Sequence, residues 1–138
     1  PGGMLVFDIE LLDVIAPPET PENLAPPENA QRTASGLASV VLEEGSGTEN
    51  PTTSQAVRVH ISAWTSDGRL FRSTAMRGRP VAMPLDGDVP GLSEGLQLMV
   101  AGEKRRFWIP QELGYNGRPG APTGTIIYDV ELVEILGN

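Results

Sequence analysis

The chain has 138 residues, of which 39% are hydrophobic, 5% aromatic and 20% charged, and its formal net charge is −8. This length and composition are sufficient for one domain with a buried core. The acidic balance argues against a general nucleic-acid binder, because the phosphate backbone would repel such a chain. Since the chain contains no cysteine, disulfides and thiolate metal sites are excluded. No apolar run is long enough to span a bilayer.

The first residues of the chain repeat a segment near its end. Residues 1–15 read PGGMLVFDIELLDVI, and residues 122–136 read PTGTIIYDVELVEIL. We therefore predict that residues 1–15 are the terminal strand of a preceding homologous domain in a tandem array. Residues 16–35 are rich in Pro and Glu and predict an interdomain linker, which leaves 36–138 as the complete domain. An unpaired strand at residues 4–15 predicts pairing with its own sheet or a strand-mediated dimer.

The 16 glycines and 13 prolines predict many turns, and the apolar patterning between them predicts strands. The alternation of apolar and polar residues favours strands at Leu37–Glu43 and Ala56–Trp64. The pair Asp67-Gly68 is typical of a hairpin, which places 69–72 antiparallel to the second strand. A further strand near 80–85 has proline at both ends, which favours a sheet edge.

One short helix is predicted after Asp88, which could cap it, and Pro90 suits the first helical position. A strand follows at Lys104–Ile109, then a turn over 110–115, and the last strand is predicted over 125–136. In that strand Tyr128, Val130 and Leu132 share one face and the acidic residues between them share the other.

Three stretches in this order carry a resemblance: SDGRLF at 66–71, VPGLSEGL at 89–96, and the run from Ile109-Pro110 through Tyr115 into YDVEL at 128–132. Together they resemble the FKBP-type peptidyl-prolyl cis-trans isomerases over about residues 36 to 136. The resemblance implies an α+β fold in which a curved antiparallel sheet, a half-barrel, wraps one short α-helix. It implies isomerisation of X-Pro bonds in proline-containing polypeptides as a folding helper, with no cofactor and no metal.

The resemblance also implies where such a pocket lies. Phe71 matches an aromatic wall, Tyr115 a hydroxyl donor and Tyr128 the aromatic residue of the final strand, and these are the predicted catalytic residues. Val89 matches an aliphatic wall whose backbone N–H meets a substrate carbonyl.

Four further substrate-binding positions depart from the family pattern. A Tyr is replaced by Ile61, an Asp by Arg72, an aromatic residue by Val81 and the Trp of the pocket floor by Leu92. Loss of the Trp removes flat area for stacking on a proline ring. We therefore expect low isomerase activity and weak macrolide binding.

Alternatives from other classes stay open at this point. One is a catalytically degenerate peptide-binding or structural module, and another is a chaperone that holds apolar segments. The arginines at positions 69, 72, 77 and 79 are either a solvated surface or a basic rim that selects acidic segments. His60, Trp64 and Trp108 are interpreted as structural residues. The compartment is left open between the cytoplasm and a bacterial cell envelope.

Overall fold

A computed structural model describes residues 21, 24–74, 78–116, 119, 121–122 and 124–137. The repeated strand at residues 1–15, and the dimer predicted through residues 4–15, lie outside the described residues.

The described residues form one antiparallel sheet of seven strands and one short α-helix, as the resemblance implies. The strands are β1 (Gln31–Arg32), β2 (Ala38–Glu43), β3 (Ala56–Trp64), β4 (Leu70–Ser73), β5 (Val81–Pro84), β6 (Lys104–Ile109) and β7 (Ile126–Gly137). Helix α1 is Pro90–Leu96, and a 3₁₀ turn covers Gln111–Leu113. The strand order is β1-β2-β6-β7-β3-β4, and β5 pairs with the first half of β3. Within the described ranges no helix is long and apolar enough to cross a membrane.

Strand β7 shows how the sheet divides its two faces. Tyr128, Val130 and Leu132 are fully buried and point to the inner face, as their spacing predicts. On the outer face, Arg106 of β6 donates to both carboxylate oxygens of Asp129, over 2.6 and 2.8 Å. The apolar face is therefore free to pack on the helix while the acidic face is paired or solvated.

Helix α1 lies close to the inner face because two of its residues lack a side chain. A Cβ at Gly91 would lie 2.6 Å from Ile109, and a Cβ at Gly95 would lie 2.5 Å from the ring of Phe107. Pro90 occupies the first turn, as predicted. The predicted cap by Asp88 is wrong, since Val89 is the N-cap residue and no side chain caps the helix.

A second apolar cluster covers one end of the outer face. Trp64, Trp108 and Ile127 are in register across β3, β7 and β6, and Leu24 and Ala30 pack against them. Strand β1 also pairs with β2, from within the range that composition assigned to the linker. The structure thus differs from the sequence prediction here, because the last part of residues 16–35 packs on the domain. The packing roles expected for both tryptophans agree with this cluster.

Candidate functional site

The predicted site residues come together at one end of the inner face. Seven of the eight belong to one apolar cluster or pack against it. The buried members are Ile61, Val89, Leu92 and Tyr128, and the partly buried ones are Phe71, Val81 and Tyr115. The eighth, Arg72, joins them through a hydrogen bond to Tyr128. Phe71 contacts Tyr115 and Arg72 contacts Asp88, so strand β4 meets both the turn after β6 and the loop before α1.

An aromatic pair forms the visible wall of this site. The rings of Phe71 and Tyr115 are 6.2 Å apart between centroids and meet edge to face at 67°. Such a pair contributes about 0.5–1.5 kcal/mol beyond the area it buries. Because both rings are only partly buried, they keep apolar surface that a ligand can contact.

Arg72 is held by the carboxylate of Asp88, a residue that is not among the eight predicted site residues. Its Nη1 donates to Asp88 Oδ2 in a salt bridge, and the same nitrogen donates to the Tyr128 hydroxyl over 3.3 Å. The side chain of Asp88 is only 8% exposed, against 36% for Arg72. The pair therefore places a nearly buried anion beside a cation that solvent can reach.

The electrostatics of this network keep Arg72 charged and Tyr128 neutral. Burial works to lower the pKa of Arg72, but the charge and hydrogen bond of Asp88 outweigh it and raise that pKa. The pKa of Tyr128 is raised, first by burial and then by the Asp88 carboxylate and the Tyr115 hydroxyl. Tyr128 consequently remains a neutral phenol, which can donate or accept a hydrogen bond.

The backbone N–H of Val89 already has a partner. It donates to Asp88 Oδ1 over 2.7 Å, so the carboxylate occupies the group that the resemblance assigns to a substrate carbonyl. A peptide carbonyl would have to replace this contact to reach the same N–H.

Two shallow depressions flank the Arg72–Asp88 pair. One, of about 340 Å³, is lined by Asp86, Gly87, Asp88, Val89, Pro90, Gly114 and Tyr115. The other, of about 270 Å³, is lined by Phe71, Arg72, Ser73, Thr74 and Val81. Neither is lined by Leu92 or Tyr128, which are fully buried, nor by Ile61, which is 1% exposed. The structure therefore places these three predicted residues beneath the site rather than at its surface.

The remaining polar candidates lie elsewhere. His60 Nδ1 is 3.0 Å from the Thr74 hydroxyl, and the histidine lines a depression on the outer face. In the part of the chain that the structure describes, no group of three His, Asp or Glu side chains could hold a metal ion. Of the four clustered arginines, Arg77 lies outside the described residues, and Arg69 contributes to the lowered pKa of Asp67 after the Thr65 hydroxyl.

The family whose sequence model matches residues 47–133 is described as FKBP-type peptidyl-prolyl cis-trans isomerase. The chain therefore belongs to this family, which confirms the resemblance drawn from the sequence.

Relatives from Escherichia coli K12 show the extent of the likeness. The chain is 41% identical over 119 residues to the FKBP-type 22 kDa peptidyl-prolyl cis-trans isomerase. The aligned segment covers 83% of this chain and 57% of that protein. It is 37% identical over 117 residues to FkpA, covering 83% of this chain and 43% of FkpA. The crystal structure of E. coli FkpA matches with a TM-score of 0.73 and 36% identity, over 80% of this chain and 53% of that one. The chain thus spans about half the length of the curated relatives it matches.

Proposed function

We propose that this chain catalyses the cis–trans isomerisation of X-Pro bonds in polypeptides and thereby assists protein folding. The observation that carries the proposal is the edge-to-face pair of Phe71 and Tyr115, at the inner-face site of a chain that belongs to the FKBP family. The pair offers apolar walls of the kind that a proline ring contacts.

The reaction requires no chemically reactive side chain. Rotation about the bond meets a barrier of about 18–20 kcal/mol because amide resonance is lost on twisting. No proton transfer and no nucleophile is needed, so a site that binds the twisted amide more tightly than the planar one is sufficient. We assign Phe71 to the wall, Tyr115 to a hydroxyl donor and Tyr128 to holding Arg72 in place.

Low activity is part of the proposal. Leu92, Ile61 and Val81 offer less flat aromatic surface than the residues that the family pattern has there. Asp88 in addition holds the Val89 N–H over 2.7 Å, and a substrate carbonyl must compete with it. The same two features support the expectation that macrolides bind weakly.

A second candidate function is peptide holding without acceleration. The buried positions of Leu92 and Tyr128 favour it, because a site without a deep apolar floor can bind a peptide loosely and leave the barrier unchanged. A dimer through residues 4–15 and a tandem neighbour domain stay predictions.

A protease-coupled assay tests the proposal. A short Xaa-Pro-Phe peptide is cleaved only in its trans form, and uncatalysed conversion from cis takes tens to hundreds of seconds at 25 °C. We expect the protein to shorten this slow phase in proportion to its concentration. A slow phase that equals that of buffer, with the peptide bound, would leave only the holding function.

A further inference from the structure

We propose that the depression lined by Phe71, Arg72, Ser73, Thr74 and Val81 binds an acidic side chain next to the proline. We further propose that Asp88 competes with that side chain for the Arg72 guanidinium. Both statements rest on the proposed binding of proline-containing polypeptides at this site. They add a substrate class to it and assign Asp88 the role of an internal competitor.

The lining of the two depressions separates them by charge. Among the described residues that line it, the depression beside Val81 has one cation, two hydroxyl side chains and no carboxylate. The depression beside Tyr115 is lined by both Asp86 and Asp88. An acidic side chain is therefore repelled from the second depression and attracted to the first.

Arg72 keeps hydrogen-bonding capacity for such a ligand. Among the described residues, both hydrogen bonds that it donates come from Nη1. The guanidinium has five donors in a planar fork, so Nε and Nη2 remain for a carboxylate, which can accept from both. The 36% exposure of the side chain allows a ligand to approach from solvent.

Asp88 limits how much a ligand gains from this arginine. Its carboxylate is nearly buried and is fixed by both Arg72 and the Val89 N–H. A peptide without an acid gains no charge–charge attraction from the guanidinium. A peptide with an acid has to share the guanidinium with Asp88, so its affinity is lower than Arg72 alone would give.

The experiment measures binding rather than turnover. Blocked peptides with Glu or Gln directly before proline, and a second pair with Glu or Gln directly after it, are titrated into the 15N-labelled chain. For one of the two pairs we expect the wild type to bind the Glu peptide about threefold more tightly than the Gln peptide. Asp88→Asn keeps the size and the acceptor oxygen of Asp88 but removes its charge, and should raise this ratio to about tenfold or more. Arg72→Gln should reduce the ratio to about one.

Arg69→Gln is the matched control. It removes the same charge from an arginine at the turn end of the same β3–β4 hairpin, which lines a different depression beside Asp67. We expect the Glu-to-Gln ratio of this variant to equal that of the wild type.

The outcomes separate this inference from the proposed function. A preference that survives Arg72→Gln, or a ratio that stays constant or falls in Asp88→Asn, overturns the inference. Isomerisation with equal affinity for Glu and Gln peptides overturns it and leaves the proposed function standing. A Glu preference that follows Arg72 and Asp88, without any isomerisation, overturns only the proposed function. Failure of every peptide to bind either the wild type or Asp88→Asn overturns both.

Discussion

At the level of single residues, Arg72 and Asp88 form a salt bridge that accounts for the presence of both charges at this site. The family pattern predicts an acid where Arg72 stands, and in the structure the reversed charge is paired with Asp88. An arginine against an apolar cluster needs a carboxylate, because an unpaired charge there loses hydration without compensation. Asp88 immediately precedes the predicted pocket residue Val89, so its position was an available signal. What sequence could not give is its contact with the Val89 N–H, which depends on the backbone of the loop.

Tyr115 is the residue whose hydroxyl the proposed function requires most directly. Tyr115→Phe keeps the ring that packs on Phe71 and removes only the donor. Since one hydrogen bond contributes about 0.5–1.5 kcal/mol, we expect the isomerisation rate constant to fall by about two- to tenfold. The protease-coupled assay measures this, with circular dichroism as the check on folding. Wild-type activity in a folded Tyr115→Phe variant would remove the hydroxyl from the account.

The raised pKa of Tyr128 leads us to expect that the protein loses stability at alkaline pH. Its pKa in the folded chain is raised above the ordinary value of 10.0, mainly by burial, so above pH 10 the unfolded chain releases a proton that the folded chain retains. The contribution is fully present below about pH 10 and is lost as pH rises beyond it, by up to about 1.4 kcal/mol per pH unit.

The check is urea unfolding of the wild type and of Tyr128→Phe between about pH 8 and 11. Above pH 10 we expect the free energy of unfolding to fall less steeply with pH in the variant. The difference in slope should correspond to about one proton released on unfolding. Parallel curves for the two proteins would show that Tyr128 titrates alike in both states.

At the level of secondary-structure elements, the contact between α1 and β6 depends on glycine. Gly95→Ala improves helix propensity by about 1 kcal/mol, but its Cβ would lie 2.5 Å from Phe107. Overpacking of this kind costs about 1–3 kcal/mol, so we expect a net loss of about 1 kcal/mol in chemical denaturation. The loss should shrink in a Phe107→Leu background, which makes room for the methyl group. An equal loss in both backgrounds would contradict the steric explanation.

The outer face carries an apolar row that the strand alternation predicts. Trp64, Trp108 and Ile127 occupy positions whose alternation points them away from the inner core. Three large apolar side chains on an outward row need a cover, and in the described part of 16–35 Leu24 and Ala30 pack against them. Composition alone could not show this, since a few apolar residues among prolines and acids are also typical of a linker.

This cover can be tested with the two tryptophans of the chain, both of which belong to the outer cluster. Leu24→Asp places a charge against them, and we expect a red shift of tryptophan emission and a stability loss of about 1–2 kcal/mol. Leu98→Asp is the matched control, because Leu98 is 40% exposed and does not belong to the cluster. Identical emission spectra for the two variants would show that residues 24–30 do not protect the tryptophans.

At the level of the whole molecule, the fold was predictable because its signals are local and ordered. Each local signal predicts one element: alternating apolar residues predict β3, the Asp67-Gly68 turn predicts the hairpin to β4, and Pro90 predicts the start of α1. The order of these signals along the chain matches one family. The candidate residues named from the sequence belong to one apolar cluster or contact it, but the sequence does not show which of them reach the surface. Leu92 and Tyr128 are fully buried and line neither depression, which depends on packing between elements that are distant along the chain.

We propose that this site accelerates rotation about a proline peptide bond. Two-dimensional exchange NMR on an Xaa-Pro peptide tests it directly, because cross peaks between the cis and trans resonances appear only when interconversion is faster than relaxation. Uncatalysed exchange, at tens to hundreds of seconds, is too slow to give them. We predict exchange cross peaks with substoichiometric wild-type protein and at least about tenfold slower exchange with Phe71→Ala, which loses the aromatic wall. Peptide resonances that shift on binding while no exchange cross peaks appear would contradict the claim.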